Sequence, residues 1–250
     1  MGWGDEIIAT GQAKRAQQTD PRRVQILARD GVVRWHPIWA GNPRIAKPDE
    51  QGDFQKIQNG PGLRPYIAAK TDERWTWRDF ECAPGELFPS RQEREFARQH
   101  RPQIVICPTL KPRASPNKHW GVARWQKFAQ LAFKAGFELW ELSPSGARTL
   151  RYTNVICTPD FRHACAVLAN AKAYVGHEGG MHHAAAALGI PAVVIFGGFI
   201  SPQQTGYATQ RNLFTGGKPC GMRQPCRHCA DAMAAITPEM VLIELMEIMA

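Results

Sequence analysis

No apolar run in the 250-residue chain approaches the roughly 18 residues that a membrane-spanning helix needs, and the first residues, MGWGDEIIATGQ, lack the basic start and apolar core of a secretory leader. A cytoplasmic protein is expected. Disulfide-scaffold spacing is missing too: the cysteines number seven, and Cys82, Cys107, Cys157 and Cys165 are scattered through the chain, which predicts reduced thiols. No repeat period or low-complexity tract occurs, which excludes solenoids and linker tails. No G-x-G-x-x-G follows an early strand, which argues against a dinucleotide oxidoreductase. Acidic residues are comparatively few, 22 against 31 lysines and arginines. The resulting net charge of +9 steers anionic partners toward the surface: phosphates, acidic glycans or nucleic acid.

What is present alternates. Asp5 to Gln17 suits a helix and Val24 to Ala28 a short buried strand, whereas Gly31 to Ser90 is rich in Pro, Gly and Trp and shows little periodicity. Trp35, Trp39, Trp75 and Trp77 in that stretch read as core filler, with an aromatic acceptor cleft as the alternative. Gln92 to Gln99 forms a polar helix. Past Pro102 the rhythm is clear: strand Ile104 to Pro108, helix Val122 to Ala135, strand Phe137 to Leu142, strand Val155 to Cys157 and helix Asp160 to Lys172. Strands alternating with helices predict an α/β fold with a parallel sheet and right-handed crossovers. Two small domains are expected, residues 1–101 and 102–250.

The segment Tyr174 to Gly198, YVGHEGGMHHAAAALGIPAVVIFGG, carries the functional signal. A strand runs into Gly179-Gly180, a small-residue helix follows, and Gly189 and Pro191 end that helix before another buried strand. Glycines let a ligand approach the backbone, and the unpaired N–H groups and positive dipole end of the first turn favour an anion such as phosphate. Gly179, Gly180 and Met181 would supply those groups. Lys118, in the loop after strand Ile104 to Pro108, lies at the same edge of the sheet and suits a diphosphate. His183 and His182 open the helix, one of them able to donate to a phosphate oxygen or a ribose; adjacent positions direct them to different faces. Glu178 could accept from sugar or ribose hydroxyls, or simply compensate the helix dipole.

The run E-G-G-M-H-H-A-A-A-A-L-G-I-P, Glu178 to Pro191, resembles the donor-binding motif D-[ST]-G-x-x-H-x-A-A-A-L-G-x-P of glycosyltransferase family 9, the ADP-heptose:lipopolysaccharide heptosyltransferases. Lys118-His119-Trp120 with Arg124-Trp125 resembles that family's K-x-W-P-x-x-x-W segment, and Gly4-Asp5 its N-terminal Gly-Asp motif. The resemblance implies two Rossmann-like domains facing a cleft (GT-B type), with a shortened N-terminal, acceptor-side domain and a C-terminal donor-binding domain. It implies an inverting transfer of a heptose-like sugar from a nucleoside diphosphate donor to a hydroxyl of a glycan or lipid-linked, lipopolysaccharide-type acceptor, peripheral to the inner membrane face. No cofactor beyond the nucleotide sugar is required. Asp5 would be the catalytic base or, alternatively, a helix cap. Glu141 is the candidate for holding ribose. The chain departs from the pattern where Glu178 replaces Asp, Gly179 replaces Ser or Thr, and Gly121 replaces Pro.

Cys220, Cys226, His228 and Cys229 cluster as C-x5-C-x-H-C. That is not the double C-x2-C arrangement of a strong zinc site, so a plain thiol-packing loop is expected, with zinc as the alternative. Two further readings compete with transfer to a glycan: transfer to a hydroxylated nucleic-acid base, suited to the basic surface and tryptophans, and non-catalytic nucleotide-sugar binding.

Overall fold

The computed structural model describes residues 2–111 and 114–250. The N-terminal half contains α1 (Trp3–Ala16), β1 (Val24–Leu27), β2 (Gln55–Gln58), β3 (Ile67–Lys70), β4 (Trp75–Trp77) and α2 (Arg91–Arg98). The remainder runs β5 (Ile104–Cys107), α3 (Val122–Lys134), β6 (Leu139–Ser143), β7 (Thr153–Cys157), α4 (Phe161–Leu168), β8 (Ala173–His177), α5 (Gly180–Ala187), β9 (Ala192–Ile195), α6 (Pro202–Thr205), β10 (Arg211–Leu213), α7 (Arg227–Ala235) and α8 (Pro238–Met249). The expected α/β class with a parallel sheet is present, and residues 2–98 carry the smaller share of regular structure.

Six parallel strands lie in the order β10-β9-β8-β5-β6-β7. The chain starts at β5, winds outward through β6 and β7, then returns to β8 on the other side. That reversal makes a switch point between β5 and β8, where loops leave the carboxyl ends of the two strands in opposite directions and open a crevice. The loop holding Lys111 and Lys118 follows β5, and Glu178-Gly179 follows β8. Here the fold puts the two segments side by side.

Alternation along the strands divides the core. Ile104, Ile106, Val175, Val193 and Ile195 pack with Trp120, Trp125 and Phe128 near α3 and with Val241 and Leu245 of α8. Val105, Tyr174, Ala192 and Val194 face the other way, joining Ala184 and Ala185 of α5 and Ile7, Ile8 and Ala9 of α1. Gly176 is small for a local reason: a Cβ there would lie 1.9 Å from the Tyr174 hydroxyl. α1 therefore stacks as a further layer directly on α5. The two halves are also tied by Arg162 of α4, which pairs with Glu93 of α2 and donates to the carbonyls of Pro37, Ile38 and Phe88.

The irregular N-terminal stretch is partly paired after all: β1 and β2 form a parallel ladder, and β3 and β4 an antiparallel one. Trp39 is fully buried and donates its indole N–H to Glu6 O at 2.8 Å, as core filler does. Trp35, Trp75 and Trp77 are only half-buried. The helix expected from Asp160 begins at Phe161, because Asp160 itself is the cap, accepting from His163 N at 2.9 Å.

Candidate functional site

β8 ends at His177, the next residue turns, and α5 begins at Gly180, so Glu178 and Gly179 sit above the switch point. Glu178 is 5% exposed and forms an ion pair with Lys118. Burial alone would raise the Glu178 carboxyl, but the Lys118 ammonium, by its charge and its hydrogen bond, holds the pKa below the ordinary glutamate value. The Lys118 ammonium also lies 5.3 Å from the centre of the Phe199 ring. The sequence placed Lys118 beside the glycine helix, and the two are together; the anion facing the lysine is the chain's own carboxylate.

Asp5 occupies the first turn of α1, which packs over the first turn of α5. Its Oδ1 accepts from the Tyr66 hydroxyl at 2.5 Å, and its Oδ2 accepts from Gly2 N at 3.0 Å and faces Arg64 Nε at 3.0 Å. The bond from Gly2 N is the helix-cap contact. Burial raises the Tyr66 pKa well above the ordinary tyrosine value and Asp5 adds to it, so Tyr66 remains a neutral donor. Lys111 feels the same charges: loss of hydration lowers its pKa, Lys118 and Arg64 lower it further, and Asp5 and Glu178 oppose them. Three cations thus stand against two carboxylates at one edge of the sheet. Trp75, Trp77 and Phe199 wall this edge, their rings 5.3 to 5.9 Å apart, and the Arg64 guanidinium lies 5.3 Å from the Trp75 ring centre.

Several expectations are corrected. Gly180 does not present its bare face to a ligand: a Cβ there would meet Phe161 at 3.2 Å and Trp3 at 3.4 Å, so the glycine permits packing between helices. Gly179 does face open space, its nearest neighbour 4.0 Å away. Its N–H, however, donates to His182 Nδ1 at 2.9 Å, while His182 Nε2 donates to Thr205 O at 2.8 Å. Both ring nitrogens of His182 are spent and the residue is 0% exposed, so its ring is a structural brace rather than a contact for ribose. His183 is 2% exposed and its Nδ1 bonds the Tyr207 hydroxyl at 2.7 Å, while its Nε2 lies 3.9 Å from Glu178 Oε1. The two histidine rings do not diverge: their centres are 3.9 Å apart, because both are wedged against Tyr207. Burial lowers the pKa of both, so they are neutral. The N–H groups of Gly180 and Met181 belong to the first turn and have no acceptor within the helix.

Glu141 is also reassigned. Its carboxylate accepts from the N–H groups of Thr149 and Leu150 and from the hydroxyls of Thr149 and Thr153. With four donors and 3% exposure, it organises the turn between β6 and β7 and is not brought to Glu178.

Arg64, Tyr66, Lys111, Phe199 and Tyr207 were missed from the sequence. Lys111 had a readable signal, since it shares the Lys118 loop at the carboxyl end of β5. Arg64 and Tyr66 had none: they lie about sixty positions from Asp5 in a stretch without periodicity, and only folding joins them.

No curated protein matches the chain. The structure of E. coli ADP-heptose LPS heptosyltransferase II is similar at TM-score 0.51 and 19% identity, over 67% of this chain and 54% of that one, so the match spans about half of its length. A family 9 glycosyl transferase from Veillonella parvula is similar at TM-score 0.65 and 12% identity, over 99% and 94% of the two chains. E. coli heptosyltransferase WaaC with ADP is similar at TM-score 0.56 and 13% identity, over 99% and 95%. At such identities these likenesses establish the fold alone. The family model of glycosyltransferase family 9 (heptosyltransferase) matches residues 76–236, a stretch that includes the Lys118 loop, the α5 segment and the cysteine cluster. With well over half of its length matched, the chain belongs to glycosyltransferase family 9.

Proposed function

We propose that this chain is an inverting glycosyltransferase that moves a heptose-like sugar from an ADP-sugar donor to a hydroxyl of a glycan acceptor of the lipopolysaccharide type. The observation that carries the reading is the meeting of Lys118 with Glu178 at the start of α5, where the N–H groups of Gly180 and Met181 add a second source of positive potential. The similar structures include an ADP-heptose LPS heptosyltransferase and the heptosyltransferase WaaC with ADP, which supports the choice of donor. Residues 1–101 would serve the acceptor and residues 102–250 the donor.

In this reading the donor diphosphate takes Lys118 from Glu178, and Glu178, released, accepts from a donor hydroxyl. The acceptor oxygen attacks the anomeric carbon, its proton passes to Asp5, and the bond from that carbon to the diphosphate oxygen breaks. The electron pair of that bond stays on the diphosphate, where Lys118, Lys111 and the α5 N–H groups stabilise it. Tyr66 and Arg64 hold the Asp5 carboxylate in place. Trp75 and Trp77, with indole N–H groups that have no hydrogen-bond partner among the described residues, line the acceptor side. Among the described residues no helix is long and apolar enough to cross a membrane.

A thermal-shift series with ADP, UDP, GDP and ADP-sugars tests the donor, since a ligand that binds only the folded state raises its melting temperature. ADP compounds are expected to give the largest shifts, and Lys118→Ala to abolish them. Equal shifts from all three nucleotides would overturn the donor assignment.

A further inference from the structure

A second group of reactive side chains lies at the start of α7, separate from Asp5 and Glu178. Cys220 Sγ is 3.2 Å from Cys229 Sγ and 3.7 Å from Cys226 Sγ, and His228 Nδ1 is 3.9 Å from Cys229 Sγ. Four tetrahedral ligands bound at about 2.3 Å to a zinc-sized ion stand roughly 3.8 Å from one another. Two of the three separations match the edges of that tetrahedron and the Cys220–Cys229 pair is shorter; the ligand atoms of Cys220, His228 and Cys229 lie within 4.8 Å of one another, and Cys226 joins them through Cys220. They are well beyond the roughly 2 Å of a disulfide bond.

The imidazole is oriented for ligation. His228 Nε2 donates to Gly216 O at 2.8 Å, which fixes the proton on Nε2 and turns the Nδ1 lone pair toward the sulfurs. Met222 N donates to Cys220 Sγ at 3.4 Å, which holds the sulfur in place. Cys226 is the N-cap residue of α7 and Cys229 lies in its first turn, so one helix start carries both sulfurs. Glu178, His182 and His183 are equally close to one another, yet they fail the same test, because both nitrogens of His182 and Nδ1 of His183 are already bonded. Proximity is common to both groups; in the buried triad three of four ring nitrogens are spent and Glu178 is paired with Lys118, whereas the cysteine cluster offers three thiols and a free imidazole Nδ1.

We propose that Cys220, Cys226, His228 and Cys229 bind one tetrahedral, thiophilic divalent ion of the zinc class as a structural site. Each ligating thiol gives its proton to solvent as its sulfur bonds the ion. The site does not touch the reacting atoms. It holds the segment on which they rest: Cys220 N donates to Gly198 O and Gly221 N to Phe199 O, each at 3.0 Å, and Trp75 N donates to Gly221 O at 2.9 Å. Asn117, the neighbour of Lys118, donates to the carbonyls of Met222 and Gln224, each at 2.7 Å, and accepts from Cys226 N at 3.1 Å. Gly221 has φ +63°, and a Cβ there would fall 1.9 Å from Trp75 O, so the turn after Cys220 fits only glycine. The ion therefore fixes the loop that positions Lys118, Phe199 and β4.

The test uses the full chain, purified without chelator from medium containing zinc and iron. Elemental analysis is expected to find close to one equivalent of zinc or iron per chain. Metal-free protein titrated with cobalt alone is expected to show a thiolate-to-cobalt charge-transfer band and the visible bands of tetrahedral cobalt, saturating at one equivalent. Cys226→Ser and Cys229→Ser should lose these bands and melt several degrees lower, whereas Cys157→Ser, outside the cluster, should keep them. Metal far below one equivalent, octahedral cobalt spectra, or a Cys220–Cys229 disulfide in the purified protein would each overturn the proposal. If the serine variants fail to fold, the cobalt spectrum and thiol count of the unaltered protein, with and without chelator, still decide. Because the readout is metal content, failure here leaves the transferase reading standing.

Discussion

Gly4 lies so close to His183 that a Cβ at position 4 would stand 2.5 Å from His183 Cδ2 and 3.1 Å from Nε2. The Gly of the Gly-Asp pair is thus required by the crossing of α1 over α5, quite apart from any ligand. It lets the backbone beside Asp5 approach the start of the glycine helix.

Gly4→Ala should therefore destabilise the protein. Alanine gains about 1 kcal/mol of helix propensity over glycine. The His183 ring is buried and anchored by Tyr207, so it cannot move aside, and overpacking of this kind costs about 1–3 kcal/mol. A net loss of about 1 kcal/mol is expected, visible as a lower denaturant midpoint. An unchanged or raised midpoint would show that the helix crossing is looser than described.

Lys118 and Glu178 should prove strongly coupled. Removing the lysine alone leaves a buried carboxylate without its partner, and such a loss is costly. Lys118→Met is expected to lower stability by about 2 kcal/mol, and adding Glu178→Gln to restore much of it. Additive losses in the double-mutant cycle would refute the pairing.

Asp5→Asn separates base from cap. The amide oxygen still accepts from Gly2 N, and the NH2 that replaces Oδ1 can donate to the Tyr66 oxygen, so folding and ADP binding should survive, while turnover falls about 10² to 10⁴-fold for loss of a general base. Steady-state kinetics beside a melting curve checks this. Full turnover would leave Asp5 with the cap alone.

Two buried groups give opposing pH dependences. Burial, with a smaller push from His119, lowers the His177 pKa to about 3, so the unfolded chain binds the extra proton first and stability falls as pH drops from about 6.5 toward 3. Glu6 runs the other way: burial raises it to about 7 against the pull of Arg34, so the folded state holds the extra proton and stability falls as pH rises from 4.5 to 7. In Glu6→Gln only the second contribution disappears. The variant should gain on the parent by about 1–2 kcal/mol between pH 5 and pH 7.5, a figure reduced for partial solvent screening. Parallel melting curves across that range would rule out the Glu6 contribution.

The parallel sheet and its crossovers were legible in the chain's local pattern. Strands buried on both faces must be continuous apolar runs, such as Ile104–Cys107 and Ala192–Ile195, and α3 must show its stripe of Trp125, Phe128 and Ala132. That pattern also put Lys118 and the glycine helix at the same sheet edge, because both follow strands in a fold whose crevice is set by topology. It did not reveal β3, β4 or β10, which are three or four residues long and largely exposed or half-buried. Which atoms remain free was settled by long-range packing. Neighbours distant in sequence occupy His182 through Thr205, His183 through Tyr207 and Gly180 through Trp3 and Phe161, and they join Arg64 and Tyr66 to Asp5. A hydrogen bond or a van der Waals contact is satisfied by whatever folding brings within 3 or 4 Å, and no local pattern in the chain encodes that partner.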